Sequence, residues 1–112
     1  MSWHIVETEG EYKHYFTMLT YGTEERICGA VVSKPRDGNV AILDSIKTEK
    51  KFRRQGYGTT LLKIVLDKYD SLNGKAEAFG DKPMSDMQLA RWYRHHGFKV
   101  KRYNRIEHGR QP

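Results

Sequence analysis

The hexapeptide RRQGYG at residues 53–58 is followed at once by the octapeptide TTLLKIVL at residues 59–66. Upstream, VAILDSIKT at residues 40–48 predicts a strand, and downstream the apolar spacing predicts an amphipathic helix over residues 57–70. A glycine loop between a strand and a helix directs several backbone N–H groups at one point, where the helix N-terminus adds about half a positive charge. The loop therefore predicts a phosphate pocket, deepened by two arginines, with a plain strand-to-helix turn as the alternative.

Strand-like segments dominate the first half of the chain. Residues 3–7 predict a short first strand, residues 12–21 alternate aromatic and polar side chains, and residues 26–33 are rich in Ile, Val and Ala. Turn-forming residues separate these segments, most clearly in the cluster KPRDGN at residues 34–39. Together with the strand at 40–48, the segments at 12–21 and 26–33 predict a three-stranded antiparallel meander over residues 12–48.

The second half alternates helices and strands. Asn73 and Gly74 are expected to stop the first helix, and residues 75–79 predict a short strand. That strand should run parallel to the strand at 40–48, because a strand–helix–strand crossover gives parallel pairing.

A second helix is expected after a loop at residues 81–85, with Ser85 or Asp86 as its N-cap. Residues 98–103 predict a last strand, and residues 104–112 predict a frayed basic tail. One side of the second helix carries Leu89, Trp92, Tyr93 and His96.

These pieces resemble the GNAT superfamily of acyl-CoA-dependent N-acetyltransferases. Residues 53–58 match its pyrophosphate loop, Arg/Gln-x-x-Gly-x-Gly/Ala, and residues 93–98, YRHHGF, match its later Tyr-x-x-x-Gly-Phe segment. The resemblance covers about residues 25–105 and is carried by the order and spacing of the two motifs. It implies a single α/β domain over residues 1–112, with a mixed, mostly antiparallel sheet flanked by helices, and acetyl-CoA as co-substrate.

The resemblance also implies where acetyl-CoA would bind. Backbone N–H groups of the glycine loop are expected to hold the pyrophosphate, because glycine lets the chain approach most closely, and Thr59 or Thr60 could add a hydroxyl. The pantetheine arm is expected to lie along the 40–48 strand and bond to its main chain. The expected cofactor-binding residues are Ile46 and Thr48 on this strand and Arg53, Arg54, Gln55, Gly56, Tyr57, Gly58 and Thr59 in the loop.

By the same resemblance, Tyr93 occupies the position of a tyrosine that protonates the leaving thiolate in many family members. A phenol with a pKa of about 10 can donate a proton to sulfur at neutral pH. A core aromatic on the apolar helix face is the alternative. The amine, the thioester carbon and Tyr93 are expected to meet at the gap between the strands at 40–48 and 75–79.

The general base is less clearly indicated. A lysine with a pKa of about 10.4 is roughly one part in 2,500 neutral at pH 7, so a carboxylate, often through water, is expected to take the proton. Asp44 is the first candidate, Glu77 and Asp81 are alternatives, and some family members use no dedicated base. Alternation along the strand predicts that Asp44 shares a face with Ile42, Ile46 and Thr48.

The chain departs from the family pattern at two places. The pattern leaves no room for the two helices that usually follow the first strand, and it shows one clear terminal strand where the family usually has two. We therefore expect an open acceptor site, which favours a protein amine over a small metabolite. We also expect an unpaired sheet edge, and hence a homodimer with the C-terminal strand at or near the interface.

Composition bounds the remaining possibilities. The 112 residues include one cysteine, contain no run long enough to span a membrane and begin without a secretory pattern, so one domain in a reducing cytosol is expected. The formal charge is +6, with basic residues denser at 47–54 and 99–110. A nucleic-acid surface, an anionic cofactor such as coenzyme A, or a plain soluble surface would each account for it.

No metal is expected. His95 and His96 are adjacent, so they point about 100° apart on a helix and cannot form a pair on one face. Cys28 could accept an acyl group, with a small buried core thiol as the alternative.

Three functions are compatible with the sequence. The first is transfer of an acetyl group from acetyl-CoA to a primary amine, on a lysine or an N-terminus, by direct attack. The second is a non-catalytic module on the same scaffold that binds coenzyme A or a protein. The third is a toxin-like enzyme that acetylates aminoacyl-tRNA.

Overall fold

The computed structural model describes residues 2–77 and 84–112, which form a seven-stranded sheet with two α-helices. The strands lie in the order β1-β2-β3-β4-β5-β7-β6, and every neighbouring pair is antiparallel except β4 and β5. The predicted α/β fold with a mixed, mostly antiparallel sheet is therefore confirmed. The elements are β1 (Trp3–Glu9), β2 (Lys13–Thr20), β3 (Arg26–Ser33), β4 (Ala41–Thr48), α1 (Tyr57–Lys68), β5 (Leu72–Lys75), α2 (Asp86–His95), β6 (Lys99–Val100) and β7 (Arg105–His108), with single 3₁₀ turns at Lys50–Phe52 and Arg102–Asn104.

Strands β2 to β4 form the predicted three-stranded antiparallel meander, and β1 extends it as a fourth strand that was not predicted to pair there. β1 is followed directly by β2, with a turn in which the N–H of Gly10 donates to the carbonyl of Lys13 at 2.8 Å. All residues between these two strands are described, and no helix lies among them. β1 and β2 are therefore joined without an intervening helix.

The strand after α1 lies earlier than predicted. β5 spans Leu72–Lys75, so the Asn-Gly pair lies inside the strand and does not end the helix. Leu72 is fully buried, and the parallel register places Gly74 beside Leu43. A Cβ at Gly74 would lie 2.9 Å from the carbonyl oxygen of Leu43, so glycine is needed there for close packing rather than for a turn. Of the predicted strand, residues 78–79 lie outside the described residues.

The C-terminal residues form two strands, which corrects the prediction of one strand and a frayed tail. β7 lies between β5 and β6 and pairs antiparallel with both. Ile106 is 1% exposed and joins the core, opposite Gly74 in the register. One buried residue in a short basic segment gave too little apolar pattern for a strand to be predicted. The edges of the sheet are β1 and β6.

Both helices pack on the same face of the sheet. The ring of Tyr69, just after α1, lies 5.6 Å from that of His14 and 6.5 Å from that of Phe16 on β2. α1 and α2 meet where Thr59 Oγ1 lies 3.4 Å from His96 Nε2. The opposite face, which no described helix covers, exposes Val6, Tyr15 and Ile42.

The hydrophobic core fills the space between the sheet and this helical layer. It includes Phe16, Met18, Val32, Leu43, Leu61, Leu62, Val65, Leu72, Tyr93 and Ile106. Neither described helix has the length and apolar character needed to cross a membrane.

Candidate active site

A cleft opens where β4 and β5 separate. Their parallel pairing ends at Leu43 and Gly74, whereas β4 continues to Thr48. The space beyond this point is a cleft of about 740 Å³ that reaches from β5 to the start of α1 and the inner side of α2. Among residues 2–77 and 84–112, no strand therefore neighbours the edge of β4 from residue 44 onward on the β5 side.

The open edge of β4 presents backbone groups to the cleft. The backbone N–H of Glu49 donates to the carbonyl of Ile27 at 2.8 Å, so the backbone groups of residue 49 point toward β3. Because successive backbone groups of a strand alternate in direction, those of Ile46 and Thr48 point toward the cleft. The carbonyl of Thr48 accepts a hydrogen bond from Arg53 Nε at 3.0 Å, in agreement with that direction.

The N-terminus of α1 has no side-chain cap. Gly56 stands at the N-cap in the left-handed region, with φ +84°, and no acidic residue lies in the first turn. The N–H groups of Tyr57, Gly58 and Thr59 belong to the first turn, which has no intrahelical acceptors. This helix end is therefore suited to bind an anion.

The N-terminus of α2 is capped by its own residues, in contrast to α1. Ser85 accepts a hydrogen bond from the N–H of Gln88 at 3.1 Å, and the side chain of Gln88 accepts one from the N–H of Ser85 at 2.9 Å. Asp86 adds a negative charge in the first turn. The two helices thus differ in their capacity to bind an external anion, and the uncapped one faces the cleft.

Gly58 marks a close approach between α1 and the end of β4. A Cβ at this position would lie 3.3 Å from Thr48 Oγ1 and 3.9 Å from a ring carbon of Trp92. A larger residue would push the helix start away from the strand edge. The basic side chains of Lys50, Arg53 and Arg54 also line this end of the cleft.

Tyr93 lines the cleft from α2 and is only 4% exposed. Its ring packs against Trp92 and Phe98, with centroids 4.9 and 5.2 Å away. No described residue forms a hydrogen bond with its phenol, and burial raises the pKa of that phenol above its ordinary value. Tyr93 is therefore protonated at neutral pH and has a proton that is not shared with a described neighbour.

Asp44 lies on a different strand face from the one predicted. The β3–β4 register shifts between Val31 and Val32, which pair with Ser45 and Leu43 and leave Asp44 as the extra residue of a β-bulge. Asp44 and Ile42 consequently lie on the face opposite the helices, whereas Ile46 and Thr48 share the helical face. The expectation that all four share one face is wrong, because the bulge breaks the period of two.

The Asp44 carboxylate is held on the β3 side of the cleft. Oδ2 accepts hydrogen bonds from Lys13 Nζ at 2.6 Å and Ser33 Oγ at 2.7 Å. No described residue donates to Oδ1. Asp44 still lines the cleft, so its role as general base stays a prediction.

Of the two alternative carboxylates, Glu77 lies just after β5. Glu77 lines the cleft, and its Oε1 is 3.9 Å from Nζ of Lys75. Asp81 lies outside the described residues.

The cleft brings together predicted site residues from separate segments of the sequence. Of the proposed site residues that the structure describes, Gln55 and the alternative Thr60 are not among its lining residues. Lining residues that were not predicted from the sequence include Lys50, Phe52, Lys75 and Gln88. Of these, Gln88 could have been found from the sequence, because it lies four positions before Trp92, which the helical spacing had placed on the same side as Tyr93. The proposed residues in the cleft are Asp44, Ile46, Thr48, Arg53, Arg54, Gly56, Tyr57, Gly58, Thr59 and Tyr93.

Cys28 and His96 are both neutral at pH 7. Burial raises the pKa of the Cys28 thiol to about 11, so Cys28 is a neutral core residue at pH 7. Burial lowers the pKa of His96, and the charges of His95 and Lys63 lower it further, so this imidazole is neutral beside Thr59. Within residues 2–77 and 84–112, no group of three or more His, Cys, Asp or Glu side chains could hold a metal ion.

The chain belongs to the Acetyltransferase (GNAT) family, whose sequence profile matches residues 2–98. A search of curated protein sequences finds no significant match. The sequence profile therefore shows the family, and solved structures show a similar fold.

Solved structures share the fold at low sequence identity. YhhK from E. coli, solved bound to coenzyme A, is 15% identical and has a TM-score of 0.69, with 97% of this chain and 100% of that chain covered. A GNAT family acetyltransferase from Elizabethkingia anophelis with acetyl-CoA bound is 19% identical, with a TM-score of 0.67 and 88% and 77% covered. A chain of the KacTA–DNA complex is 14% identical, with a TM-score of 0.69 and 89% and 69% covered.

Proposed function

We propose that this protein is an acetyl-CoA-dependent N-acetyltransferase that moves an acetyl group to a primary amine by direct attack. One observation carries the proposal. A single cleft joins an uncapped helix N-terminus, an unpaired strand edge and the buried, protonated phenol of Tyr93. These are an anion site, a line of backbone hydrogen-bonding groups and a proton donor, in the order that a thioester of coenzyme A requires.

The co-substrate would occupy the cleft along its length. The N–H groups of Tyr57, Gly58 and Thr59 would bind the pyrophosphate, with Arg53 and Arg54 adding positive charge. The pantetheine arm would bond to the backbone of Ile46 and Thr48 on the open edge of β4. The structures of YhhK with coenzyme A and of the Elizabethkingia anophelis enzyme with acetyl-CoA support acetyl-CoA as the co-substrate.

The chemistry needs two proton transfers and one nucleophilic attack. The neutral acceptor amine attacks the thioester carbonyl carbon, forming a C–N bond and a tetrahedral intermediate. The C–S bond then breaks, and the sulfur takes the proton of the Tyr93 phenol. The amine loses a proton to Asp44 or, as the alternative, to Glu77, directly or through water. Solvent protons restore the phenol, and the products are the N-acetylated amine and free coenzyme A.

We propose a protein amine, a lysine or an N-terminus, as the acceptor. β1 leads directly into β2, so the described residues include no helical wall between these strands that would enclose a small substrate. An open acceptor site fits a protein substrate, and we propose that this substrate is met in the cytosol.

The second candidate is a non-catalytic module that binds coenzyme A. The observation in its favour is the Asp44 carboxylate, which already accepts hydrogen bonds from Lys13 and Ser33. Such a module would keep the anion site and the strand edge and would not need a base.

Two measurements on the same protein test these functions. Calorimetry measures binding of acetyl-CoA, and a free-thiol assay with a panel of small amines, lysine peptides and peptide N-termini measures transfer. If the protein is the proposed enzyme, it should bind acetyl-CoA and release free coenzyme A thiol in the presence of at least one of the amines. Binding without transfer to any amine would point to the non-catalytic module, and the absence of binding would contradict both.

A further inference from the structure

The turn between β6 and β7 projects cationic and aromatic side chains beside the cleft. We call residues 101–105, with the sequence KRYNR, the basic tip. Tyr103 is 86% exposed, the highest exposure of the large hydrophobic side chains described. Its ring makes no aromatic or cation–π contact with a described residue. A large exposed ring without a packing partner has a surface free for a ligand.

The backbone of the basic tip is fixed in an uncommon conformation. Tyr103 and Asn104 are both left-handed, with φ +58° and +57°, a region that a tyrosine rarely adopts. Two hydrogen bonds of 2.7 Å hold the turn. The N–H of Lys101 donates to the carbonyl of Arg105, and the N–H of Ala76 donates to the carbonyl of Asn104. The exposed tyrosine is thus presented by an ordered turn, and strained positions of this kind cluster at functional sites.

The cations of the basic tip form no ion pair with a described carboxylate. They are Lys101, Arg102 and Arg105, and all three are exposed. In the β5–β7 register, Arg105 stands opposite Lys75, whose ammonium lies 3.9 Å from Glu77. Three cations and an aromatic ring, none of which has a described partner, therefore share one turn.

We propose that the basic tip binds single-stranded nucleic acid, with the Tyr103 ring stacked on a base and Lys101, Arg102 and Arg105 contacting phosphates. Base stacking on an exposed aromatic, combined with phosphate contacts from neighbouring cations, is how proteins bind single strands without sequence preference. An acidic peptide would use the cations but would leave the exposed ring without a role. The bound nucleic acid would lie on the β5 side of the cleft, because Lys75 lines the cleft and stands opposite Arg105 in the β5–β7 register.

This surface goes beyond the proposed acetyl transfer and does not depend on it, so it can be tested without acetyl-CoA. Fluorescence anisotropy with a labelled, unstructured single-stranded RNA of about twelve nucleotides measures the affinity. Three phosphate contacts predict that log K falls with log salt concentration with a slope of about −2. We expect Arg102→Glu and Tyr103→Asn each to weaken binding about tenfold. Tyr103→Phe should bind within about twofold of wild type, because it keeps the ring.

The substitutions are chosen so that the fold survives. Asparagine tolerates the left-handed region, and an 86% exposed side chain contributes little buried surface. The matched control is the exposed pair Tyr12 and Arg36, whose guanidinium carbon lies 4.8 Å from the ring centroid in another part of the sheet. Arg36→Glu and Tyr12→Asn make the same chemical changes there and should leave binding within about twofold of wild type.

Two outcomes would overturn the proposal. Equal losses in the tip and control variants would mean that RNA responds only to the net charge of +6. Unchanged affinity in Tyr103→Asn, together with competition by poly-glutamate as strong as that by unlabelled RNA, would assign the surface to acidic protein segments instead.

Discussion

At the scale of single residues, burial and hydrogen bonding separate the groups that could move a proton. Tyr93 is buried, protonated and without a described hydrogen-bond partner, whereas Asp44 is exposed and already holds two donors on Oδ2. Glu77 is exposed and near one lysine. The proposed acid and the proposed base are therefore tested by different substitutions.

Substitution Tyr93→Phe should lower turnover about 100-fold or more, because it removes the proton donated to the leaving thiolate. Affinity for acetyl-CoA should change little, since the ring and its packing remain. The measurement is steady-state kinetics together with calorimetry. The control is Tyr69→Phe, which loses a phenol bonded to His14 at 2.8 Å that is not part of the cleft lining, and which should keep full turnover.

The pH profile gives a second check on Tyr93. Burial raises the pKa of the phenol, so the proton is retained as pH rises through about 10, the ordinary value. Turnover should therefore increase as the acceptor amine becomes neutral and should not decline below about pH 10. A decline near pH 8 that disappears in Tyr93→Phe would contradict this order of ionisation.

If Asp44 is the base, Asp44→Asn should reduce turnover at pH 7 about 100-fold. The loss should shrink toward pH 10, because the amine then deprotonates without help. Glu77→Gln is the matched variant, since it removes one carboxylate charge from the β5 side of the same cleft. If Glu77→Gln shows the pH-dependent loss and Asp44→Asn does not, the base is Glu77.

At the scale of elements, the two helices differ in how their N-termini are satisfied. α2 begins with a capping box of Ser85 and Gln88, whereas α1 begins at a left-handed glycine with no side-chain cap. The unsatisfied N–H groups of α1 open into the cleft beside the unpaired edge of β4. Anion binding should therefore depend on the start of α1.

Substitution Gly56→Asp should weaken binding of coenzyme A at least about tenfold, because it places a carboxylate at the anion site. The matched control is Gly38→Asp, in the turn before β4. Gly56 and Gly38 have φ of +84° and +77°, and in both cases nothing lies within 4 Å of an added Cβ. Calorimetry should show a loss for Gly56→Asp and wild-type affinity for Gly38→Asp. Equal affinity in the two variants would remove the loop from the binding site.

At the scale of the whole molecule, the sheet has two exposed edges. β1 forms one edge and the short β6 forms the other, while β7 is paired on both sides. An edge strand can pair with another chain. We keep the proposal of a homodimer with the C-terminal strand at or near the interface, and β6 is the part of that segment that remains at an edge.

Light scattering should give twice the chain mass of 13.1 kDa at tens of micromolar. Cysteine cross-linking then identifies the edge, since the native Cys28 is buried. Lys99→Cys on β6 should form a disulfide-linked dimer under oxidation, and Thr8→Cys on β1 should not. A monomeric mass over the whole concentration series would reject the dimer, and cross-linking through Thr8→Cys alone would move the interface to β1.

Local patterns in the sequence were sufficient for the meander, the glycine loop at α1, the helix that carries Tyr93 and the family. Alternation, helical spacing and the Gly-x-Gly spacing are properties of a few consecutive residues, so they can be recognised without knowledge of the fold. Only the tertiary structure decided that β7 inserts between β5 and β6, that a bulge turns Asp44 to the other face, and that Gly74 packs inside a strand. Each of these depends on which distant strand lies alongside, and short strands carry too little apolar pattern to specify that partner.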